Sequence, residues 1–417
     1  MNKAQAPEAK PKCRFCGQVL EHTFVDLGMS PLCQTHIEPS ELNQMEPFYP
    51  LHAYVCANCF LVQVDEFVSP DEIFSDYAYL SSYSDSWVEH ARKYVEMISE
   101  RLGLDESAYV VEIASNDGYL LQHVVAKGIP CLGVEPAANV AEIAKAKGIE
   151  SEVCFFGEES AKRIASKHRK ADLILGNNVL AHVPKLHDFV QGLKELLAKG
   201  GTVTMEFPHL LKLMQLNQFD TIYHEHFSYL SLFAVEKVFA SHGMTLYDVE
   251  ELPTHGGSIR IYARHAEDAE KPVSEAVKRL RAREFEAGLD RLETYTSFTE
   301  QVKETKRALL DFLIQANREG KTVVGYGAPG KGNTLLNYCG IREDFLQYTV
   351  DRNPLKQGRY TPGTRIPILA PEKIRETKPD YILILPWNLK DEISKQHDYV
   401  NEWGGRFVVP IPKVEVL

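Results

Sequence analysis

The chain has 417 residues, 44% of them hydrophobic, with 46 basic against 58 acidic side chains and a net charge of −12. That length allows two or three domains with ample core, and an acidic balance with no basic stripe argues against a dedicated nucleic-acid binder. No apolar run reaches the roughly 18 residues a membrane crossing needs, so no transmembrane helix is expected.

Met1 to Pro11 is polar, has no apolar stretch and reads as a loose tail, not a secretory leader. Two Cys-x-x-Cys pairs follow, Cys13/Cys16 and Cys56/Cys59, forty residues apart. Thiolates two residues apart can share one tetrahedral ion, and two such pairs make a closed four-sulfur shell: a structural zinc site with no open position for chemistry. Cys33, Cys131, Cys154 and Cys339 are scattered without a disulfide spacing, which suits a reducing cytoplasm. Residues 12–76 are therefore expected as a zinc-binding module of short strands. A Tyr-rich stretch with Tyr77, Tyr79 and Tyr83 comes next. Asp85 or Ser86 is then placed to cap a helix running to about Leu102.

Strands and helices alternate from there. Tyr109 to Ala114, Cys131 to Val134, Ala171 to Leu175 and Thr202 to Phe207 read as strands, with helices over Leu120 to Lys127, Ala137 to Lys147 and Phe189 to Leu197. This predicts an α/β fold with a parallel doubly wound sheet over 77–265. After His265 a charged, helix-favouring stretch runs to Gly320 and predicts two or three helices. A second α/β pattern follows: strands at Lys321 to Tyr326, Phe345 to Val350 and Tyr381 to Leu385, and a Gly-rich turn at 327–332. The expected C-terminal domain is 266–417.

Ligands of open α/β sheets bind beyond the carboxyl ends of the strands. Glu112, Ala114, Asn116 and Gly118 lie in or after the first strand there, Glu135 ends the second, seventeen residues past Gly118, and Asn177 ends a later one. An acid at Glu135 can accept from ribose hydroxyls. Ala114 and Asn116 stand where a dinucleotide turn has glycines, which favours an adenosyl ligand without phosphates.

The run Val110 to Leu121, with Gly133-Val134-Glu135-Pro136 after it, resembles the class I S-adenosylmethionine-dependent NDP-sugar C-methyltransferases of deoxysugar biosynthesis. That family places a zinc-binding domain, a Rossmann-like methyltransferase domain and a second Rossmann-like α/β domain in this order. The resemblance thus covers nearly the whole chain.

The segment 221–229 is dense in proton-transfer groups. It is not H-E-x-x-H, so a helical zinc-protease site is excluded. In an extended segment Tyr223 and Glu225 would share one face and His224 and His226 the other; a local turn could gather them. Alkylating a sugar carbon needs a base of near-neutral pKa, which suits His, and a donor for the enolate oxygen, which suits Tyr or a second His. The resemblance implies His226 as the base, with Tyr223, Glu225 and a tyrosine from the zinc-domain edge around the sugar: Tyr77, with Tyr79 and Tyr83 as alternatives. His224 is a weaker catalytic candidate, and His255, before Gly256-Gly257, a second-rank substrate contact.

The turn at 327–332 joins a strand to a helix, where backbone N–H groups favour anions. Lys331, Asn333 and Arg352 are candidates to hold the diphosphate of a sugar nucleotide between the last two domains. The chain is thus expected to move a methyl from S-adenosylmethionine to C3 of an NDP-4-keto-deoxysugar in the cytoplasm, with a monomer as the simplest state and neither nucleic acid nor membrane as partner. C5 methylation, a non-sugar ketone, an NAD-dependent enzyme using the second turn and a non-catalytic zinc adaptor are the rival readings.

Overall fold

A computed structural model describes residues 10–69 and 80–417, which are organised by three sheets. The first is antiparallel and runs β1 (His22–Ser30), β2 (Tyr49–Val55), β3 (Val62–Val64), β9 (Ser228–Tyr229). Leu51, Ala53 and Val55 of β2 are buried while Pro50, His52 and Tyr54 are half-open, the alternation expected of a sheet with one covered face. Its fourth strand comes from far along the chain: Val62 pairs with Tyr229 and Gln63 with Ser228.

The second sheet is ordered β6 (Ser151–Glu152), β5 (Cys131–Val134), β4 (Val110–Ile113), β7 (Ala171–Asn177), β8 (Leu197–Pro208), β11 (Ser258–His265), β10 (Met244–Leu252). Its strands are parallel except β11, which runs antiparallel to both neighbours. Buried runs such as Val110–Ile113 belong to central parallel strands covered on both faces. The helix Asp85–Leu102 packs Ala91, Tyr94, Val95 and Ile98 inward, and left-handed Gly103 ends it. Its cap is Ser84, whose side chain accepts from the Trp87 N–H, one residue before the expected position. The sequence reading missed β10 and β11. Ser258 to Arg264 of β11 are buried without alternation, because the strand is inserted between β8 and β10.

The third sheet is β14 (Ile368–Leu369), β13 (Thr349–Val350), β12 (Val323–Tyr326), β15 (Tyr381–Ile384), β16 (Arg406–Val409), β17 (Glu415–Val416), parallel except at β17. The charged stretch before it forms three helices, Glu275–Glu286, Leu292–Thr296 and Phe298–Arg318. Strand order reverses at β4/β7 in one sheet and at β12/β15 in the other, so each has a crevice beyond those strand ends.

One buried hydrogen-bonded carboxylate ties the helices to the middle sheet. Glu284 accepts from His209 Nε2 at 2.7 Å and from the N–H groups of Leu232 and Phe233 at 2.7 and 2.8 Å, closing the start of the helix Leu232–Ala240. Removing the carboxylate strands three buried donors. Glu284→Ala is expected to cost about 3–5 kcal/mol, read as a lower urea midpoint.

Candidate active site

The four paired cysteines converge. Their sulfurs all lie within 4.8 Å of one another, with Cys13–Cys59 at 3.5 Å and Cys16–Cys56 at 3.4 Å. Zn–S bonds of about 2.3 Å set tetrahedral sulfurs about 3.8 Å apart, so an all-thiolate shell of this size fits zinc. The shell is closed by four protein ligands and is structural.

At the β4/β7 reversal the chain turns through Ala114, Asn116 and Gly118, all at positive φ. A side chain at Gly118 would strike Ile149 Cδ1 at 2.3 Å, which explains the glycine there. Both carboxylate oxygens of Glu112 and Oδ1 of Asp117 are buried with no hydrogen-bond partner among the described residues. Burial, then the charges of Glu135 and Asp117, pushes the Glu112 carboxyl well up. Glu135 accepts from the N–H of Asn116 at 3.0 Å and of Ala137 at 2.9 Å, and each oxygen keeps a lone pair. Asn177 donates to Tyr119 Oη at 3.3 Å beside them. Unpartnered acidic oxygens here are acceptors that suit a ligand bringing an ammonium and ribose hydroxyls as donors.

The 221–229 segment folds back on itself. His226 N–H donates to Tyr223 O at 2.9 Å, a turn that sets first and fourth residues side by side; their rings lie 4.1 Å apart. His226 Nδ1–H donates to Thr221 O at 3.2 Å, so the neutral ring carries its basic lone pair on Nε2. Burial, then neighbouring His182, holds the imidazole well below its usual pKa, and it stays uncharged at neutral pH. The two middle residues of the turn point elsewhere. Glu225 is buried against the Cys33 thiol, 3.6 Å away, and burial pushes its carboxyl up to about 7. His224 is the correction here: its Nε2 donates to Pro50 O at 3.1 Å and its ring packs edge-on to Tyr49, so it braces β2 and does not join His226. Tyr77 and Tyr79 lie outside the described residues; Tyr83 is 65% exposed.

Glu225 has a testable pH signature. A raised folded-state pKa contributes stability that is present below about 4.5, its unfolded value, and lost as pH rises through about 7. Glu225→Gln should therefore raise the thermal midpoint relative to the parent protein at pH 8 and not at pH 4.5.

Across the crevice, Lys331 is held by Asn388 Oδ1 at 2.8 Å and lies 4.5 Å over the Trp387 ring. Trp387 in turn donates to Asp220 at 2.7 Å, just before the His226 turn. His255 has φ of 55°, strained for a non-glycine residue, and meets Asn178 at 3.4 Å and the Trp87 ring edge-on. Gly256 after it allows close approach: a Cβ there would sit 2.7 Å from Trp387.

Two expected contacts are not brought to this place. Asn333 donates to Cys33 O at 2.7 Å and faces the N-terminal module. Arg352 is exposed and meets Gln396 and Glu392 on the outer surface. The second Gly-rich turn is itself covered. A side chain at Gly330 would strike Cys33 Sγ at 2.8 Å, and His36 and Lys356 both bond Ala328 O. Residues of the N-terminal module thus pack directly against this turn.

The sequence reading missed His182. It follows the β7 end by five residues, donates to Glu225 O at 2.7 Å and stands 4.6 Å from the His226 ring. A histidine just past Asn177-Asn178 was the available signal. Also missed was the cluster behind the crevice, where buried Glu206 meets His90 at 2.9 Å, Arg260 at 2.6 Å and Thr254 at 2.9 Å.

A mixed seven-stranded sheet thus stands with a four-sulfur module in one chain. Known families match successive parts of the chain: "Putative zinc binding domain" over residues 13–74, "Methyltransferase domain" over 87–249 and "C-methyltransferase C-terminal domain" over 253–412. The chain is 37% identical to C-methyltransferase NovU of Streptomyces niveus over 406 residues, 97% of this chain and 96% of that one. Over 97 residues, 23% of this chain and 38% of the relative, it is 28% identical to a ubiquinone biosynthesis O-methyltransferase of Chelativorans sp.. Among solved structures, an S-adenosylmethionine-dependent methyltransferase from Clostridium acetobutylicum aligns at 11% identity and TM-score 0.34, covering 43% of this chain and 92% of that one. The chain belongs to the C-methyltransferase family that includes NovU.

Proposed function

We propose that the enzyme methylates C3 of an NDP-4-keto-deoxysugar in the cytoplasm, with His226 as the base. The observation that carries this is the His226 Nδ1–H bond to Thr221 O, which presents a neutral Nε2 in a buried turn beside the acidic crevice. S-adenosylmethionine supplies an electrophilic methyl when bound. A carbon nucleophile has to be made for it, and a ketone acidifies the neighbouring C–H enough for imidazole to remove the proton. Tyr223, whose ring lies 4.1 Å from that of His226, is the proposed donor to the enolate oxygen that develops. Lys331, over the Trp387 ring, and His255, against Asn178, are the proposed contacts for the anionic part of a sugar nucleotide. Glu112, Glu135 and Asn177 are the proposed contacts of the methyl donor.

The test is mass spectrometry of dTDP- and GDP-4-keto-deoxysugars incubated with enzyme and S-adenosylmethionine. A product heavier by one methylene, with label lost from a C3-deuterated substrate, is expected. Methylation with C3 deuterium retained would move the reaction to C5; no methylated sugar at all would direct the search to other enolisable ketones.

A further inference from the structure

The zinc shell and the strand that follows the His226 turn both contact β3, and a short run of bonds joins them. Gln63 of β3 is 1% exposed. Its Nε2 donates to Cys13 Sγ at 3.2 Å, and its Oε1 accepts from the Arg14 backbone N–H at 2.9 Å and from Arg14 Nε at 3.4 Å. A zinc-bound thiolate keeps its negative charge, so the amide bond to Cys13 is charge-assisted and holds the ligand in place. The backbone of the same Gln63 pairs with Ser228, two residues past His226.

Arg14 adds a second route. Its guanidinium donates to Val64 O and sits 5.4 Å over the ring of Phe227, the residue after His226. The Val64 N–H donates to Phe227 O at 3.1 Å. The first knuckle therefore touches β3 and the residue just before β9, and the β3–β9 ladder is only two residue pairs long. So short a ladder cannot hold its own register; side-chain contacts must fix it.

We propose that the zinc knuckle is a splint for the turn carrying His226, with Gln63 and Arg14 as the positioning residues that transmit it. The proposal rests on His226 being the base only for its effect on turnover; the splint itself is a statement about the 221–230 backbone. Gln63→Met keeps side-chain length and removes the amide bonds to Cys13 and Arg14. In the full zinc-loaded protein this variant should retain one zinc per chain. Amide hydrogen exchange across 221–230 should quicken about tenfold, while peptides from β4 and β7 keep their protection. Turnover should fall about tenfold or more at unchanged KM for S-adenosylmethionine, because misplacing a base by a fraction of an ångström slows the chemical step and leaves cofactor binding alone. Unchanged exchange in a variant that holds its zinc overturns the proposal. Should Gln63→Met lose zinc, Arg14→Met decides: it keeps the backbone N–H to Gln63 and removes the charged contacts to Val64 and Phe227. Faster exchange confined to 221–230 then upholds the splint, and unchanged exchange overturns it. Faster exchange with unaltered turnover upholds the splint and removes His226 from the chemistry. The exchange readout uses no sugar, so a wrong acceptor assignment leaves it standing.

Discussion

His226→Asn is expected to lower kcat about a thousandfold while leaving S-adenosylmethionine affinity within about twofold. The side-chain amide of asparagine can take over the Nδ1–H bond to Thr221 O, so the turn survives and only the basic Nε2 is removed. Little of the loss should come from folding. His226 bonds Thr221 O, whereas Glu112, Glu135 and Asn177 are the proposed cofactor contacts, so calorimetric titration with S-adenosylhomocysteine separates the two effects. Turnover within tenfold of the parent enzyme would mean that another group, His182 at 4.6 Å foremost, takes the proton. His182→Asn should cost less, because its Nδ1–H serves Glu225 O and its ring supports His226.

Removing the zinc is expected to have the other large effect. Cys59→Ser, or chelation, leaves a small module without its central link. Zinc binding to such sites is worth about 10–16 kcal/mol at neutral pH, more than the margin by which a domain of this size folds. The N-terminal sheet should unfold in a separate, earlier thermal transition, at a cost of about 5 kcal/mol or more. Activity should vanish with it. Because β9 belongs to that sheet, the loss reaches His226 even where the middle sheet stays folded. Metal content by atomic absorption and near-ultraviolet circular dichroism on one sample check this. A metal-free protein with full turnover and a single transition would refute it.

The parts of this protein that the sequence determined by itself are those with short-range signatures. Cys-x-x-Cys spacing fixes four ligands before any fold is known, because two residues is the span over which neighbouring thiolates reach one ion. Alternating strands and helices fix the doubly wound sheets, and the turn at 114–118 with Glu135 fixes the acidic crevice, because strand ends and the turns after them are local. Tertiary structure decided which neighbours each side chain meets. A turn at 223–226 paired Tyr223 with His226 and sent His224 to Pro50, which an extended reading of the segment could not give. His182 came to His226 from more than forty residues away, and β9 came to β3 from farther still. The second Gly-rich turn kept its local shape, but Cys33 and His36 packed over it. Local sequence specifies a turn's backbone; what covers that backbone depends on residues some three hundred positions away, brought there by the burial of three sheets in one molecule.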